Sequence, residues 1–569
     1  MSDKNYTAAD AFSDALVTAG MDCVFLNSGT DYPPIIESWA KSEAEGRKIP
    51  RIIISPHEMP AMSAAQGYAQ ITGRAQGVFV HVDVGTQNLG GAVHNAYRCR
   101  VPVFVFAGVS PYTAEGELHG GRNTYIQFIQ NAADQAGIVR EYSKLCYEYR
   151  SGKNIQQMTY RALQLAQSEP MGPVYMTATR EVLEEEGVNI GADISRWGAV
   201  SPTALDDESV KILTKALCKA EKPIIITAYA GRNQECVGEL VKFAEKLAIP
   251  VVEVNEQAVM NFPGSHPMHL GFDSHEFVGE ADLVLALDCD LPWIPSMASV
   301  KPDCRVFFVD SDPIKENIPL WYIKAERLMR ADSFTALRQL NAELQRNHEL
   351  LNQTLIEARR AKVCEIHKQQ RESWNNWKQE SHITSEFLSA CVSEIIDDDT
   401  VLLNETITDR VVTDKLIPRN KPGTLFGNGG SSLGWHGGAA VGMKLACPEK
   451  DIVALTGDGT YIFSCPTAVH WMSARYNAPF MTVIYNNLGW GAPKKITKHQ
   501  HPDGFAAKND QFWASLNPPA RLDLVAEAAG GAFAKTVSDP NELRAVLREG
   551  REAVKNGRSA VINVMLPSV

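Results

Sequence analysis

The sequence lacks the long apolar runs, paired cysteines and basic charge that mark membrane, disulfide-stabilised and nucleic-acid-binding proteins. No apolar run approaches the ~20 residues of a membrane-spanning helix, and residues 1–6 lack the charged-then-apolar order of a signal peptide. The 11 cysteines include no Cys-x-x-Cys pair, which favours reduced thiols. A net charge of −12 argues against a nucleic-acid partner. We therefore expect a globular, cytoplasmic protein with neither a membrane nor a nucleic-acid partner.

Apolar runs that alternate with helical patterns divide the 569 residues, too many for one core, into three similar stretches. This alternation predicts parallel sheets with helices on both faces. The expected fold class is α/β, with three consecutive doubly wound parallel-sheet domains at 1–185, 200–345 and 380–569. An acidic linker at 181–197 and a charged helical connector at 343–380 would join them. The predicted strands are 23–26, 51–55, 78–82, 102–107 and 172–178, then 223–227, 250–254, 283–287 and 306–309, then 401–403, 452–455, 481–485 and 561–564.

Two polar motifs follow neighbouring strands of the third domain. Gly457-Asp458-Gly459-Thr460 comes after the strand at 452–455, and Asn486-Asn487 comes after the strand at 481–485. Both strand ends should meet at one edge of the sheet. Carboxylate and amide oxygens suit Mg²⁺, and the N–H groups at a helix entry suit phosphate. An isolated Gly-Asp-Gly is usually an ordinary turn, but the asparagine pair favours a site for a magnesium-bound diphosphate.

The order Gly-Asp-Gly, a 29-residue step from Asp458 to Asn487, and Asn-Asn resembles the signature of the thiamine diphosphate (ThDP) enzymes. The three α/β stretches match the pyrimidine-binding, central and diphosphate-binding domains of that family over essentially the whole chain. The resemblance implies ThDP and Mg²⁺ as cofactors. It implies Asp458, Asn487 and the Gly489 carbonyl as metal ligands, with Gly457, Gly459 and Thr460 at the diphosphate.

Glu58 is the candidate activator of the cofactor. It follows the strand at 51–55 in His57-Glu58-x-x-Ala61, which resembles a family segment. In the family, the carboxyl group hydrogen-bonds a pyrimidine nitrogen and promotes the imino tautomer that removes the thiazolium C2 proton. The alternative is a solvated glutamate that the dipole of a helix N-terminus favours.

Further cofactor contacts are expected in two segments of the third domain. Thr406 and Thr408 follow its first strand and could meet the diphosphate, although a helix cap is an equal alternative. In the glycine-rich segment 427–434, resemblance to benzoylformate decarboxylase implies Leu433 as the wedge that bends ThDP and the Ser431 carbonyl as an acceptor for its amine. We reject a dinucleotide loop here, because a third glycine and an acidic partner are missing.

Several residues of the first domain are candidates for handling substrate. Asn27-Ser28-Gly29-Thr30 matches an Asn-Pro-Gly-Ser turn of benzoylformate decarboxylase, which implies Asn27 and Gly29 near the cofactor and Thr30 at the substrate carboxylate. His81 matches a catalytic histidine of that enzyme, although a structural histidine is the commoner case.

Three weaker candidates complete the set. His119 lies near the position of a histidine pair in pyruvate decarboxylases, and Gln130 could correspond to a glutamine of acetolactate synthases. In the central domain, the segment after the strand at 283–287 carries Trp293, which would lie in an active-site loop or pack between domains.

The sequence departs from two branches of the family. It lacks the Met-Val-x-Gln-Trp-Gln run typical of acetolactate synthases after Asn487, and it lacks the histidine pair of pyruvate decarboxylases. The leading expectation is decarboxylation of a 2-oxo acid with carboligation to an aldehyde or second oxo acid. A non-ligating benzoylformate-type decarboxylase, an FAD-dependent oxidase and a non-catalytic scaffold are the alternatives. Because the family's cofactor lies between the first domain of one subunit and the third of its partner, the resemblance implies a homodimer or homotetramer.

Overall fold

The structure, a computed structural model, describes residues 6–254 and 258–568. Residues 1–5, which contributed to the expectation about a signal peptide, lie outside the described residues. Within the described ranges, every helix is too short or too polar to cross a bilayer.

The first α/β unit contains a six-stranded parallel sheet. Its strands are β1 (Cys23–Asn27), β2 (Arg51–Ile54), β3 (Gln76–Val80), β4 (Val103–Gly108), β5 (Cys146–Glu148) and β6 (Val174–Ala178). They lie in the order β2-β1-β3-β4-β6-β5. Its helices are α1 (Ala8–Thr18), α2 (Pro33–Ala44), α3 (Glu58–Thr72), α4 (Val82–Arg98), α5 (Ile126–Ile129), α6 (Ile155–Gln167) and α7 (Arg180–Glu184).

The central unit contains a five-stranded parallel sheet. Its strands are β7 (Pro223–Thr227), β8 (Val251–Glu253), β9 (Leu283–Leu287), β10 (Arg305–Asp310) and β11 (Arg327–Arg330). They lie in the order β11-β10-β9-β7-β8. Its helices are α8 (Asp207–Lys219), α9 (Gln234–Leu247), α10 (His275–Val278), α11 (Ser333–Arg346) and α12 (Gln353–Trp374).

The third unit repeats the strand order of the first. Its strands are β12 (Val401–Glu405), β13 (Leu425–Phe426), β14 (Ile452–Gly457), β15 (Met481–Asn486), β16 (Phe533–Val537) and β17 (Ala560–Met565). They lie in the order β13-β12-β14-β15-β17-β16, all parallel. Its helices are α13 (Ser385–Ile395), α14 (Arg410–Leu416), α15 (Trp435–Ala446), α16 (Asp458–Phe463), α17 (Pro466–Arg475), α18 (Gly491–Gln500), α19 (Phe505–Asn509), α20 (Leu522–Gly530) and α21 (Pro540–Lys555).

Each sheet has a point at which the direction of strand progression reverses. These points lie between β1 and β3, between β7 and β9, and between β12 and β14. The loops that leave two such strands turn to opposite faces, which opens a crevice at their carboxyl ends. The three crevices are therefore the places in this fold where a ligand site is expected.

The prediction of three doubly wound parallel sheets is confirmed, with corrections to individual elements. Strand β3 ends at Val80, so Val82 opens a helix and does not end a strand. The predicted linker begins inside helix α7, where Glu181 is buried and accepts hydrogen bonds from Thr113. The predicted connector is two helices, and buried Arg359 of α12 donates to carbonyl groups of the central unit. The domain boundaries at 1–185, 200–345 and 380–569 stay a prediction.

Helices α3 and α15 join the first and third units almost backbone to backbone. A Cβ added at Gly442 would lie 1.9 Å from the Ala64 carbonyl oxygen, and one at Gly67 would lie 2.5 Å from the Ala439 carbonyl oxygen. Only glycine permits such a close approach of two helices. This packing fixes the start of α3, which carries Glu58, relative to the loop that precedes α15.

Candidate active site

A cavity of about 260 Å³ lies at the reversal point of the third sheet. The loops after β12, β14 and β15 form it, so the two motifs singled out in the sequence do meet. Its lining includes the predicted residues Thr406, Thr408, Leu433, Gly457, Asp458, Gly459, Thr460, Asn487 and Gly489. All the residues that line the cavity lie between 406 and 493, which leaves its outer side without a contribution from the first unit.

Two acidic side chains face this cavity. Asp458 is 4% exposed at the start of α16, and burial raises its pKa above the usual value. Burial likewise raises the pKa of Asp409, whose carboxylate accepts a hydrogen bond from Ser385 Oγ at 2.7 Å. Buried carboxylates beside one cavity favour a bound cation, which removes the cost of their ionisation.

The donors in the cavity suit Mg²⁺ held jointly with phosphate. Among the described residues, no group of three or more His, Cys, Asp or Glu side chains could hold a metal alone. Asp458, Asn487 and the Gly489 carbonyl would provide three oxygens, and Mg²⁺ takes six. Phosphate oxygens and water would supply the remainder. The residues therefore fit a metal that binds only together with a diphosphate.

Two glycines of the motifs are required by close contacts. A Cβ at Gly459 would lie 2.5 Å from Trp490 Nε1, and a Cβ at Gly489 would lie 2.4 Å from the Ala514 carbonyl oxygen. Between Asn487 and Gly489, Leu488 has a φ of 58°, a conformation uncommon for a bulky side chain. These contacts fix the backbone carbonyl and amide groups that face the cavity.

The predicted cofactor residues around the loops differ in their surroundings. Thr406 is buried, and its hydroxyl donates to Asn404 Oδ1 at 2.9 Å. It stands at the N-cap position of the 3₁₀ helix Ile407–Asp409, although its side chain makes no capping hydrogen bond. Thr408 is half-buried and Leu433 lines the cavity. Ser431 is exposed with a φ of 65° and lies outside the lining.

Glu405 holds the Leu433 loop, and the sequence analysis did not identify it. Its Oε1 accepts hydrogen bonds from the backbone N–H groups of Gly434 and Trp435, both at 3.1 Å, and from Asn428 Nδ2 at 3.0 Å. Its Oε2 accepts from the His436 N–H at 2.9 Å and faces His436 Nδ1 at 2.8 Å. One fully buried carboxylate thus fixes the start of α15 and the loop before it.

Glu58 lies at the start of α3, as predicted, and is 8% exposed. This burial excludes the alternative of a solvated glutamate. Asn88 Nδ2 donates to its Oε2 at 3.1 Å, and a Cβ at Gly85 would lie 3.3 Å from its Oε1. The carboxyl group is therefore held in place, near the third unit but outside the lining of the 260 Å³ cavity.

The crevice of the first sheet contains a line of three polar side chains. His81 Nδ1 lies 2.5 Å from Asp31 Oδ1, and His81 Nε2 lies 3.2 Å from Gln130 Oε1. The hydrogen bond to Asp31 raises the pKa of His81 and outweighs the opposite effect of burial. The structure therefore brings together two predicted residues, His81 and Gln130, through a third, Asp31, that was not predicted.

The remaining first-domain candidates are distributed around this line. Gly29 packs on the His81 ring, and Asn27 Nδ2 donates to the Ser55 carbonyl at 3.0 Å. Thr30 is exposed, so its hydroxyl is available to a ligand. The His119 ring is 85% exposed and lies 3.7 Å from Glu184, on the surface.

The crevice of the central sheet is occupied by an ion cluster that joins the first and central units. Arg100 Nη1 lies 2.7 Å from Asp288 Oδ1 and 2.9 Å from Asp310 Oδ1, and its Nη2 lies 2.8 Å from Asp290 Oδ1. Lys315 Nζ adds contacts to Asp310 and Asp290. Burial alone would raise the pKa of Asp290, but Arg100 and Lys315 outweigh it and lower this pKa well below its usual range.

Trp293 follows these aspartates and borders the same crevice. It is buried, and with Tyr229, Phe272 and His275 it lines a cavity of about 450 Å³ beside the ion cluster. Asp288 and Asp290, which precede it, contact Arg100 of the first unit, and the two alternatives for Trp293 itself stay predictions.

We expect Arg100→Lys to lower the free energy of unfolding by about 2 kcal/mol. Lysine keeps the charge, but its single ammonium group cannot replace the planar guanidinium that hydrogen-bonds three carboxylates at once. Thermal unfolding measures the loss. Arg305→Lys is the matched control, since Arg305 pairs with Glu326 through two hydrogen bonds at the exposed surface. It should change stability by less than ~0.5 kcal/mol. Equal losses in both variants would contradict a structural role for the buried cluster.

The buried side chain of His470 should make the folded protein less stable in mild acid. Burial, with the charge of His436 adding to it, lowers the pKa of His470 to about 3. The unfolded chain takes up a proton near the ordinary histidine pKa of ~6.5, whereas the folded chain does not until much lower pH. The contribution of neutral His470 to the free energy of unfolding is therefore present above pH ~6.5. It decreases below that pH, by about 1.4 kcal/mol at pH 5.5.

The test compares melting temperatures at pH 7.5 and 5.5 for wild type and His470→Gln. Glutamine keeps a partner for the Tyr461 hydroxyl, which lies 3.1 Å from His470 Nε2, but does not titrate. The variant should lose less stability on acidification than wild type does. His348→Gln, at an exposed histidine, should behave as wild type. An identical pH dependence in all three proteins would exclude His470 as the cause.

Comparison with known proteins decides the family. Models of thiamine pyrophosphate enzymes match the chain in all three units: the N-terminal TPP binding domain at 6–138, the central domain at 210–319 and the C-terminal TPP binding domain at 410–564. The chain belongs to this family of ThDP enzymes. Its first and third units are therefore ThDP-binding domains, and the resemblance read from the sequence is confirmed.

Curated relatives of the ThDP enzyme include acetolactate synthases. The large subunit of acetolactate synthase isozyme 3 from Escherichia coli is 24% identical over 537 residues, which cover 90% of this chain and 87% of the relative. A probable acetolactate synthase of Mycobacterium bovis is 25% identical over 568 residues, covering 97% and 95% of the two chains.

Solved structures of other ThDP enzymes share the fold over the whole chain. The 4-hydroxybenzoylformate decarboxylase of Rhodococcus jostii has a TM-score of 0.81 at 19% identity, and benzoylformate decarboxylase of Polynucleobacter necessarius has 0.79 at 19%. Each alignment covers 99% of both chains. At this identity, the likeness establishes the three-unit architecture alone.

Proposed function

We propose that this ThDP enzyme decarboxylates a 2-oxo acid, with Mg²⁺ as the second cofactor, and joins the remaining fragment to a second carbonyl compound. The observation that carries the proposal is the pair of crevices at equivalent edges of the first and third sheets. One holds Asp458 and Asn487 around a cavity, and the other holds His81 against Gly29, which precedes the exposed residue Thr30. Relatives named acetolactate synthases support the ligating form.

The residues would divide the work between binding and proton handling. Asp458, Asn487 and the Gly489 carbonyl would hold Mg²⁺, and the backbone near Gly459 and Thr460 would hold the diphosphate. When bound, ThDP supplies an electron sink for the bond that breaks. Glu58 would hold a proton at the pyrimidine ring. Thr30 and His81 would receive the carboxylate of the 2-oxo acid, since a hydroxyl and an imidazole can both donate to it.

A non-ligating decarboxylase is the second candidate. His81 favours it, because a proton donor placed beside the reacting carbon would compete with a second carbonyl compound. The ion cluster around Arg100 argues against a flavin-dependent oxidase: Arg100 and Lys315, the cations of the central crevice, are already paired with three aspartate carboxylates and so are not free to bind the pyrophosphate of a dinucleotide. Buried Glu58 and Asp458 argue against a non-catalytic scaffold, which would have no use for them.

The deciding experiment measures CO₂ release from a panel of 2-oxo acids by the protein loaded with ThDP and Mg²⁺, with and without an aldehyde acceptor. Pyruvate, 2-oxobutyrate, benzoylformate and 4-hydroxybenzoylformate cover the small and aromatic classes. Carboligation predicts that the acceptor increases CO₂ release and appears in a hydroxyketone product. Release of CO₂ with formation of the free aldehyde alone would favour the second candidate. No release from any member would refute both.

We expect activity only from an assembly of two or more chains. The 260 Å³ cavity has no lining residue from the first domain, and its rim exposes apolar side chains, with Phe463 52% and Trp490 41% exposed. Beside Gln130, Tyr125 and Ile129 are 94% and 77% exposed. Burying these surfaces against each other would complete the site. Light scattering should give a mass of at least two chains, and an active monomer would contradict the expectation.

A further inference from the structure

Asp31 is a buried carboxylate with three donors arranged around it. Its Oδ2 accepts hydrogen bonds from the Gly108 N–H at 3.0 Å and the Val82 N–H at 3.3 Å. Its Oδ1 lies 2.5 Å from His81 Nδ1. The carboxylate is therefore shared among the ends of β1, β3 and β4, at the reversal point of the first sheet. It is only 5% exposed, so solvent contributes little to its stabilisation.

The backbone around the Asp31–His81 contact is packed closely against both side chains. A Cβ at Gly29 would lie 2.1 Å from His81 Nδ1, and a Cβ at Gly108 would lie 2.1 Å from Asp31 Oδ2. Val82, which aims its N–H at the carboxylate, has a φ of 33°, a strained conformation for a β-branched residue. Strain of this kind persists where the structure around it determines one arrangement, and such sites are often functional.

The other side of the imidazole ring faces Gln130. His81 Nε2 lies 3.2 Å from Gln130 Oε1, an oxygen that can only accept a hydrogen bond. The Gln130 backbone is held by its own N–H, which donates to Ile126, and by Ser110 Oγ, which donates to its carbonyl. With a carboxylate at Nδ1 and an amide oxygen at Nε2, the ring has an acceptor at each nitrogen. Such a pair of acceptors stabilises the form with two N–H groups.

Asp83 and Tyr32 are the titratable residues next to His81 and Asp31 along the chain. Asp83, on the same helix, adds a smaller attraction for a positive ring. Tyr32, which follows Asp31 in sequence, points its hydroxyl at the Val80 carbonyl at 2.9 Å. The electrostatic surroundings of His81 are therefore negative, and Asp31 is the group in direct contact.

We infer that Asp31 is a positioning residue that keeps His81 doubly protonated, so that His81 serves the reaction as a cation and proton donor through Nε2–H, and not as a base. The role in the reaction rests on the proposed function, whereas the Asp31–His81 pairing does not. Non-oxidative decarboxylation of a 2-oxo acid consumes one proton, whether the product is an aldehyde or a ligated hydroxyketone. The Nε2–H bond breaks as that proton is delivered, and solvent then reprotonates the ring.

The pairing is tested without reference to turnover. Histidine labelled with ¹³C at Cε1 is titrated by NMR in the protein loaded with ThDP and Mg²⁺, and His81→Gln identifies the His81 signal. We expect wild-type His81 to be protonated at pH 7. Asp31→Asn should lower its titration midpoint by about one to three pH units. Asp83→Asn is the matched control, because it removes one negative charge from α4, the helix that follows His81. It should lower the midpoint of His81 by less than ~0.5 pH unit.

A second variant keeps the test informative if Asp31→Asn does not fold. Gly29→Ala keeps both charges but forces the ring away from the carboxylate, and it should lower the midpoint in the same direction. A wild-type His81 that is neutral at pH 7, or a midpoint that neither variant moves, would overturn the inference.

The pH profile of CO₂ release separates this inference from the proposed function. With the most active 2-oxo acid of the panel as probe, the basic limb should move to lower pH in Asp31→Asn, because the required proton is lost earlier. If no 2-oxo acid is turned over but the NMR midpoints shift as expected, the proposed function fails and the pairing stands. A basic limb unmoved despite a shifted midpoint would overturn the proton-donor role.

Discussion

Replacing Glu58 with glutamine should lower kcat by about 10²- to 10⁴-fold while the affinity for ThDP changes little. Glutamine has the same size and still hydrogen-bonds, but it has no acidic proton to share with the pyrimidine ring. The side chain is buried and fixed by Asn88, so the variant should keep its position. Binding and turnover therefore separate in this variant, which a general loss of folding cannot produce.

Exchange of the thiazolium C2 proton with deuterated solvent measures the same effect without substrate. It should be slow in Glu58→Gln and remain fast in His81→Ala, since His81 would act only after activation. Glu181→Gln is the control, because Glu181 is also a buried glutamate of the first unit, where its carboxylate accepts hydrogen bonds from Thr113. Exchange in Glu58→Gln as fast as in wild type would show that Glu58 is not the activator.

Apart from β2 and β8, which lie at sheet edges, the strands that the sequence predicted share one physical property. β3, β4, β9 and β14 lie inside their sheets, are buried on both faces, and so appear as unbroken apolar runs. The strands that it missed lie at edges: β5, β11 and β16 are partly exposed and carry polar residues, and β13 has two residues. Pairing with one neighbour, and not sequence, makes them strands.

The candidate site divides in a similar way. Asp458 and Asn487 follow predicted strands, and the carboxyl ends of parallel strands converge, so a one-dimensional pattern was sufficient to bring these two residues to one cavity. Glu58 and His81 follow strands β2 and β3 of the first sheet. Their assignment to cofactor and substrate stays a prediction.

The residues that were missed are defined by partners distant in sequence. Asp31 meets His81 across 50 residues, Glu405 meets His436 across 31, and Arg100 meets Asp288 across 188. Without coordinates, each is an ordinary charged residue. Asp31 alone left a signal, since it directly follows the Asn-Ser-Gly-Thr turn at the end of β1.

The common strand order of the first and third units places equivalent reversal points in the two sheets. One holds the Asp31–His81 pair, and the other holds the cavity at Asp458. Under the proposed function, the first edge would supply the proton donor and the third edge would bind the diphosphate. The proposal therefore predicts that the two edges face each other in the active assembly.

Replacing Asp458 with alanine should raise the dissociation constant for ThDP in the presence of Mg²⁺ by at least ~100-fold, and activity should disappear with it. The diphosphate would lose the cation that links it to the protein, and Asp409, a second carboxylate beside the cavity, would repel phosphate. The fold should persist, because burial makes the ionised Asp458 carboxylate costly and its removal relieves that cost. Calorimetric titration with ThDP at fixed Mg²⁺ measures the change.

Asp451→Ala is the matched control, since Asp451 immediately precedes β14, at the opposite end of the strand that leads to Asp458. Asp451 pairs with Arg551 at the surface. The control should bind ThDP as wild type does, and Glu58→Gln should bind it nearly as well. If Asp458→Ala binds ThDP with unchanged affinity, the metal does not lie where the Gly-Asp-Gly and Asn-Asn motifs meet, and the assignment of the third-sheet cavity to the diphosphate is wrong.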